Sequence, residues 1–209
     1  IKLLLTALFW GGTFVAGRML ATGVDPFASA FLRFFIASVF LIFLTIKLEG
    51  RLPGVDFKTA GIIILLGLTG VFFYNICFFS GLRYIKANQA ALIIACNPIF
   101  ISLFSIFFFK EPITLKKLIG IFLSVFGALI VISKGSPADL LSMGAGRGEI
   151  LIFGCVASWV AYSILGKKAM TRMSPVTSVC YSSVAGTLML AVPAFSKGLL
   201  FYIASYNLA

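Results

Sequence analysis

The sequence predicts an all-α integral membrane protein, an inverted-repeat helical bundle. Three observations lead to this fold class. The chain is 61% hydrophobic with a mean hydropathy of +1.12, well above the apolar share of a soluble domain. Seven apolar runs without formal charge follow one another, several of them close to the roughly 20 residues that a helix needs to cross a bilayer. Finally, the two tryptophans, Trp10 and Trp159, begin segments that resemble each other.

Seven membrane-spanning helices are predicted from the charge-free runs at residues 3–17, 34–46, 59–82, 87–109, 118–133, 150–166 and 173–196. The first helix is expected to end before Asp25, the second to run from about Pro26 to Ile46, and the fifth from about Leu115 to Ser133. Pro26 predicts the start of the second helix, because proline fits the first helical turn. The short segment RYIK joins the third and fourth helices, which must therefore be antiparallel. Asn97–Pro98 predicts a kink in the fourth helix. The fifth helix closes a unit, and the polar linker KGSPADLLSMGAGRGE precedes the sixth.

The sixth helix repeats the first. The segments WGGTFVAGRMLATGVDP and WVAYSILGKKAMTRMSP agree without a gap at tryptophan, glycine, a basic residue and proline. Five helices separate the two starts, and because five is odd the second copy enters the membrane from the opposite side. We therefore expect a five-helix repeat at residues 1–134 and the start of an inverted second repeat at 149–209. Transporters built in this way bind substrate where the two repeats meet.

Matching helix faces supply candidate cavity residues. Positions i, i+3 and i+4 lie on one face of a helix. The two faces consist of Trp10, Thr13 and Phe14 in the first helix and Trp159, Tyr162 and Ser163 in the sixth. One interpretation is that the faces point at each other across a lumen. The alternative is ordinary helix packing with tryptophans at the membrane interface.

Polar residues within the apolar runs extend this set. Arg33 carries a full charge inside a predicted helix, where insertion costs about 2.5–3.5 kcal/mol. It either reaches back to the lipid headgroups or lines the cavity, where it meets an anionic substrate group or a carboxylate elsewhere in the protein. Asn75, Asn97 and Tyr181 complete the candidate cavity, with interhelical hydrogen bonds as the alternative role of Asn75.

Charge and composition limit the function classes. The net charge of +11 comes from bases scattered between the runs, so nucleic acid is not an expected partner. Ten bases fall on the side of the N-terminus and six on the other, which predicts a cytoplasmic N-terminus. The six acids lie in linkers or at span ends, so no intramembrane carboxylate relay is expected. With no histidine and no CxxC pair, we expect neither a metal site nor a cofactor.

Specific motifs resemble the EamA-type carriers of the drug/metabolite transporter superfamily. They are WGGTFVAGR followed by Pro26 and Arg33, ALIIACNPIF, and FFFKEPITLKKLIGIFLSVFGALIVI, with family positions at Pro98, Glu111, Gly120 and Gly127. The resemblance implies ten helices in the full protein, about seven of them here. It also implies a multi-pass protein of the bacterial inner membrane that moves a small metabolite by alternating access.

The predicted function is transport of a small polar or amphipathic metabolite across the lipid bilayer, in the export direction. The aromatic residues of the candidate cavity suit an amphipathic organic solute. Two alternatives remain open: a membrane scaffold that transports nothing, and an intramembrane enzyme, although histidine-dependent catalysis is excluded. The chain begins at Ile1 and stops at Ala209 soon after a helix, so we expect the protein to continue at both ends. The oligomeric state is not predicted.

Overall fold

The computed structural model describes residues 2–21, 23–109, 114–132 and 146–199, and the regular elements within these ranges are helices. They are α1 (Lys2–Ala21), α2 (Pro26–Glu49), α3 (Phe57–Leu66), a π-helical segment (Gly67–Phe73), α4 (Tyr74–Gly81), α5 (Ala87–Ala95), α6 (Asn97–Phe109), α7 (Leu115–Ile132), α8 (Arg147–Ala169) and α9 (Pro175–Ser196). The all-α prediction is confirmed. Glu111, most of the predicted linker and residues 200–209 lie outside the described ranges.

Six stretches of the described chain are long and apolar enough to cross a membrane. They are Leu3–Ala21, Pro26–Glu49, Phe57–Gly81, Ala87–Phe108, Arg147–Ala169 and Pro175–Ser196. The chain is therefore a multi-pass membrane protein. The fifth run of the sequence forms α7, which is 18 residues long, and its crossing of the membrane stays a prediction.

Local sequence explains where α2 and α9 begin. Pro26, as predicted, and also Pro175 stand in the first helical turn, and the residue before each caps the helix. The Phe27 amide donates to Asp25 Oδ1 at 2.9 Å, and the Thr177 amide donates to Ser174 Oγ at 3.2 Å. Each cap satisfies a backbone N–H that the helix itself leaves unpaired.

The third and fourth spans both contain irregular helix. The third span consists of α3, the π-helical segment and α4 in direct succession, so one long helix widens in its middle. The fourth span breaks at Cys96 between α5 and α6, immediately before Asn97 and Pro98. This break falls where the kink is predicted, at Pro98, which has no N–H for the preceding turn. The π-helical segment was not predicted.

α1 runs parallel to the third span. Phe14 contacts Phe78 with ring centroids 5.3 Å apart, and Arg18, one turn later, donates to the Leu82 carbonyl. Further along α1, the Ala21 carbonyl accepts a hydrogen bond from Arg83 Nε at 3.0 Å. Residue numbers increase together in the two helices, so both point the same way.

α8 runs antiparallel to the same span. Its first turn, at Gly148, packs against Tyr84 and Ile85, whereas Tyr162 near its other end packs against Gly70. Between them, Cys155 Sγ donates to the Tyr74 carbonyl at 3.4 Å. Since α1 is parallel and α8 antiparallel to one helix, the two tryptophan-bearing helices run in opposite directions.

α2 and α9 form the most extensive helix pair and are also antiparallel. The contacts, in order along α2, are Asp25 with Lys197, Phe31 with Phe195, Ser38 with Ser183 and Thr187, and Glu49 with Ser174 and Thr177. The hydroxyl of Ser38 is buried between those of Ser183 (2.9 Å) and Thr187 (3.0 Å). Polar contacts of this kind can hold helices together in lipid, where apolar surface provides no driving force.

Glycines let α9 and α8 approach the third span. A Cβ at Gly186 would overlap the Val71 side chain and lie 2.9 Å from the Gly67 carbonyl oxygen. A Cβ at Gly70 would overlap the ring of Tyr162. The third span is thereby packed between α8 and α9 at the level of its π-helical segment.

Candidate functional site

A cavity of about 200 Å³ lies where α1, α2, the third span, α8 and α9 meet. The third span contributes Gly70 and Val71 from the π-helical segment and Tyr74, Asn75 and Phe78 from α4. The irregular helix therefore forms one wall. Interruptions of this type are frequent at functional sites.

Seven of the ten predicted cavity residues line this cavity: Trp10, Thr13, Phe14, Arg33, Asn75, Trp159 and Tyr162. They come from four different spans, so the fold brings together side chains that the sequence separates by up to about 150 residues. Their contact with a substrate remains a prediction.

The two tryptophans are in direct contact. Their ring centroids lie 5.6 Å apart with the planes at 85°, an edge-to-face pair. Tyr74 and Tyr162 flank Trp159, with centroid distances of 5.4 and 5.3 Å. The faces predicted to oppose each other across a lumen thus meet at their tryptophans, and the open space lies beside this aromatic cluster.

Arg33 lines the cavity together with Asn75. Its Nη1 donates to Asn75 Oδ1 at 3.4 Å, and its Cζ lies 5.4 Å from the centroid of the neighbouring Phe34 ring. Asn75 is buried, and its Nδ2 donates to the Val71 carbonyl at 2.7 Å, which orients Oδ1 toward the guanidinium. Among the described residues that line the cavity, none is Asp or Glu. The charge of Arg33 therefore meets an amide dipole and no carboxylate there.

The small hydroxyls of the cavity are engaged by the protein. Thr13 donates to the Phe9 carbonyl at 3.0 Å, and Ser182 donates to the Val179 carbonyl at 3.1 Å. Ser183 shares a hydrogen bond with Ser38. Within the described chain, the hydroxyls of Tyr74 and Tyr162 and the indole N–H of Trp159 have no hydrogen-bond partner. The wall therefore offers unpaired donors.

Three predicted residues lie away from the cavity lining. Asn97 is 5% exposed, and its Oδ1 has no partner within the described chain. Ser163 donates to the Trp159 carbonyl at 2.8 Å, because it is rotated about one helical step from Tyr162 and faces its own backbone. Tyr181 donates to the Pro53 carbonyl at 2.5 Å near the start of α9. Each has a local environment that its residue type and spacing do not reveal.

Both ends of the bundle are held by polar contacts. At one end Glu49 accepts from Ser174 and Thr177, and Arg172 lies 3.6 Å from Asp56. The pKa of Asp56 is below its ordinary value, mainly because the Thr59 hydroxyl donates a hydrogen bond to the carboxylate. Desolvation raises this pKa in part, and Arg172 makes a smaller lowering contribution. At the other end Arg83 donates to the Val24 carbonyl at 3.1 Å, and Lys197 lies 3.9 Å from Asp25.

The described residues contain no group of three or more His, Cys, Asp or Glu that would hold a metal ion.

Comparison with known proteins identifies the family. The model of the EamA-like transporter family matches residues 1–133, more than half of the chain. The chain belongs to the EamA-like transporter family. This membership confirms the resemblance seen in the sequence and supports a role in membrane transport.

Relatives occur in bacteria and archaea. Over 192 residues the chain is 31% identical to the uncharacterized transporter YyaM of Bacillus subtilis (strain 168), covering 92% of this chain and 63% of that protein. It is 28% identical over 178 residues to YetK of the same organism, covering 85% of this chain and 54% of YetK. An uncharacterized transporter of Archaeoglobus fulgidus is 28% identical over 200 residues, covering 95% of this chain and 67% of the relative. The chain thus spans about 54–67% of the length of these relatives.

Proposed function

We propose that residues 1–134 and the chain from residue 149 onward are inverted repeats related by an approximate two-fold axis. Trp10 and Trp159 are 149 positions apart (159 minus 10), and the same offset relates Ser38 to Thr187. Both pairs are in contact. Residues that lie on a two-fold axis contact their own counterparts, so these two pairs support an axis through α1–α8 and α2–α9.

Contacts away from this axis occur in reciprocal form. Asp25, which caps α2, lies beside Lys197 at the end of α9. Ser174, which caps α9 at the equivalent position, donates to Glu49 at the end of α2. The opposite directions of α1 and α8 are required by this arrangement. With the family membership, it supports ten helices in the full protein, of which this chain holds about seven.

The proposed function is transport of a small polar or amphipathic metabolite by alternating access. The main support for this function is the cavity. It lies between the proposed, oppositely oriented units and combines aromatic rings with Arg33 and Asn75. Substrate sites at repeat interfaces are a general feature of such carriers. The proposed setting is the bacterial inner membrane with a cytoplasmic N-terminus, and the proposed direction is export.

Metabolite efflux tests this function. Cells overproducing the complete gene product are compared with cells carrying an empty vector, and metabolites in the medium are measured without preselection. We expect at least one solute to accumulate, and counterflow of that solute in proteoliposomes to saturate. Trp159→Ala, which removes the ring between Trp10 and Tyr74, should abolish the effect at equal abundance.

The matched control is Phe57→Ala, because Phe57 is 94% exposed and lies outside the cavity. It should transport like the wild type. Net uptake of the solute would contradict export, and failure of every released solute to show counterflow would favour a membrane scaffold that transports nothing. Conversion of a solute into a new product would favour an enzyme.

A further inference from the structure

The cavity has an unbalanced charge. Arg33 lies on its wall, and none of the described lining residues carries a negative charge. Its hydrogen-bond partner within the described residues is Asn75, which is neutral and uses one of the five guanidinium N–H groups. A charged group within a membrane span is normally paired or faces water. Arg33 therefore has most of its donors available for a ligand.

The other polar groups of the cavity wall also favour a ligand that accepts hydrogen bonds. The hydroxyl hydrogens of Thr13 and Ser182 are donated to backbone carbonyls, and the amide hydrogens of Asn75 are partly used by the Val71 carbonyl. The hydroxyls of Tyr74 and Tyr162 have no partner within the described chain. Arg33 and Tyr74 line the same cavity. Free donors thus line the same cavity as the guanidinium, whereas none of its described lining residues is a carboxylate that could hold a cation.

The apolar part of the cavity suits a flat group. Trp10, Tyr74, Trp159 and Tyr162 form a connected set of ring contacts along the wall. Such rings attract both planar apolar groups and cations. Because Arg33 lines the same space, a cationic ligand would be repelled there. At about 200 Å³ the cavity is smaller than pockets for drug-sized ligands, which favours one ring system.

We propose that this cavity selects small organic anions, with a planar apolar group against the aromatic cluster and a carboxylate held by Arg33. The proposal rests on the proposed transport function and adds the substrate class. It also gives Asn75 a role: a buried, neutral side chain beside Arg33 orients the guanidinium without neutralising it.

Three probes of similar shape test the charge preference: phenylacetate, phenylacetamide and phenethylamine. Binding to the complete gene product in neutral detergent is measured by calorimetry. Phenylacetate should bind at least about tenfold more tightly than the amide, because a charge-assisted hydrogen bond replaces a neutral one. The amine should bind more weakly still. Equal affinity for acid and amide, or no binding of phenylacetate at millimolar concentration, would overturn the proposal.

Two variants test the residues. Arg33→Gln removes the charge. Asn75→Asp leaves Arg33 in place but puts a carboxylate beside it, because Asn75 Oδ1 lies 3.4 Å from Arg33 Nη1. Each should weaken phenylacetate about tenfold or more and leave phenylacetamide nearly unchanged. Arg33→Lys, which keeps the charge, should retain part of the preference. Equal loss for both probes in each variant would mean general damage to the cavity and would overturn the proposal.

The matched controls are Arg51→Gln and Asn88→Asp, which make the same chemical changes at exposed positions away from the cavity. Both should bind phenylacetate like the wild type. Phosphatidylglycerol provides a further arm. This lipid could displace phenylacetate in the wild type and fail to do so in Arg33→Gln. That result would mean that Arg33 binds a lipid headgroup, and the proposal of a small solute would be wrong.

Failure of this proposal can be distinguished from failure of the transport function. Saturable counterflow of neutral solutes that phenylacetate does not inhibit would leave transport intact and overturn the anion preference. Anion binding that depends on Arg33, without counterflow of any solute, would retain the site and overturn the transport function.

Discussion

Gly70 determines how closely Tyr162 approaches the third span. Its missing side chain leaves the space that the tyrosine ring occupies beside Trp159. Any Cβ at this position would overlap the ring and force it out of its present position. The position of one aromatic wall therefore depends on a residue that carries no chemistry of its own.

We predict that Gly70→Ala reduces transport of the identified solute about tenfold or more. The displaced Tyr162 ring would occupy cavity volume, and overpacking would lower the free energy of unfolding by about 1–3 kcal/mol. Counterflow and denaturant titration in detergent measure the two effects. Gly61→Ala in the same span is the control, because a Cβ there meets nothing within 4 Å. Comparable transport by the two variants would contradict the assignment of Gly70 to the cavity wall.

At the residue scale the sequence predicts the types of side chain in the cavity better than the exact set of residues that line it. Matching helical spacing and the rarity of tryptophan identify the Trp10 and Trp159 faces. Ser163 satisfies the same spacing, yet its hydroxyl bonds to its own helix. Gly70, Ser182 and Ser183 line the cavity because of how α9 and α8 cross the third span, and no single helix pattern contains that information.

Helix pairs provide the next level of explanation. The α9 backbone at Gly186 packs against the Val71 side chain and the Gly67 backbone of the π-helical segment. Such close approach increases the dispersion contacts between the two helices. These contacts matter in a membrane, because lipid solvates apolar helix surfaces as well as another helix does. The widened helix turn in the third span is thus part of a tight interface as well as of the cavity wall.

Gly186→Ala should lower the free energy of unfolding by about 1–3 kcal/mol, because its Cβ would overlap Val71. Gly166→Ala in α8 is the matched control, since its Cβ would meet nothing within 4 Å and alanine favours helix. Thermal unfolding in detergent compares the two. Equal stability would show that α9 does not pack here as closely as the glycines indicate.

A further element-level prediction concerns the start of α9. Ser174→Ala removes the side chain that accepts from the Thr177 amide and donates to Glu49. The expected loss is about 1 kcal/mol of stability, typical of a removed helix cap. Ser196→Ala at the opposite end of α9 should cost less, because its exposed hydroxyl bonds to the Pro193 carbonyl one turn earlier. A larger effect at Ser196 would contradict the capping role.

Sequence predicts the spans well and their ends less well. Uninterrupted apolar runs require helices in lipid, because only internal hydrogen bonds satisfy the backbone there. The first charge-free run ends before Arg18, and α1 continues past it to Ala21, with the Arg18 guanidinium donating to the Leu82 carbonyl. The π-helical segment leaves no such signal, since its geometry follows from packing against α8 and α9.

At the scale of the whole molecule, two helix pairs meet around one cavity. α1 and α8 run in opposite directions and touch through their tryptophans, while α2 and α9 pair through Ser38 and Thr187. The offset of five spans from the first tryptophan-bearing helix to the second is odd and therefore predicts the opposite directions. Direct contact of the tryptophan rings was not predictable, because a short segment match does not state the distance between the two copies.

The location of the helix ends tests the central claim, that oppositely oriented units enclose the cavity. Gly23 follows α1 and Met170 follows α8, and both are exposed. Each is replaced singly by cysteine in a background without the four native cysteines, and a membrane-impermeant thiol reagent is applied to intact spheroplasts and to inverted vesicles. The account predicts that Gly23→Cys is labelled only in spheroplasts and Met170→Cys only in inverted vesicles. Labelling of both from the same side would contradict it.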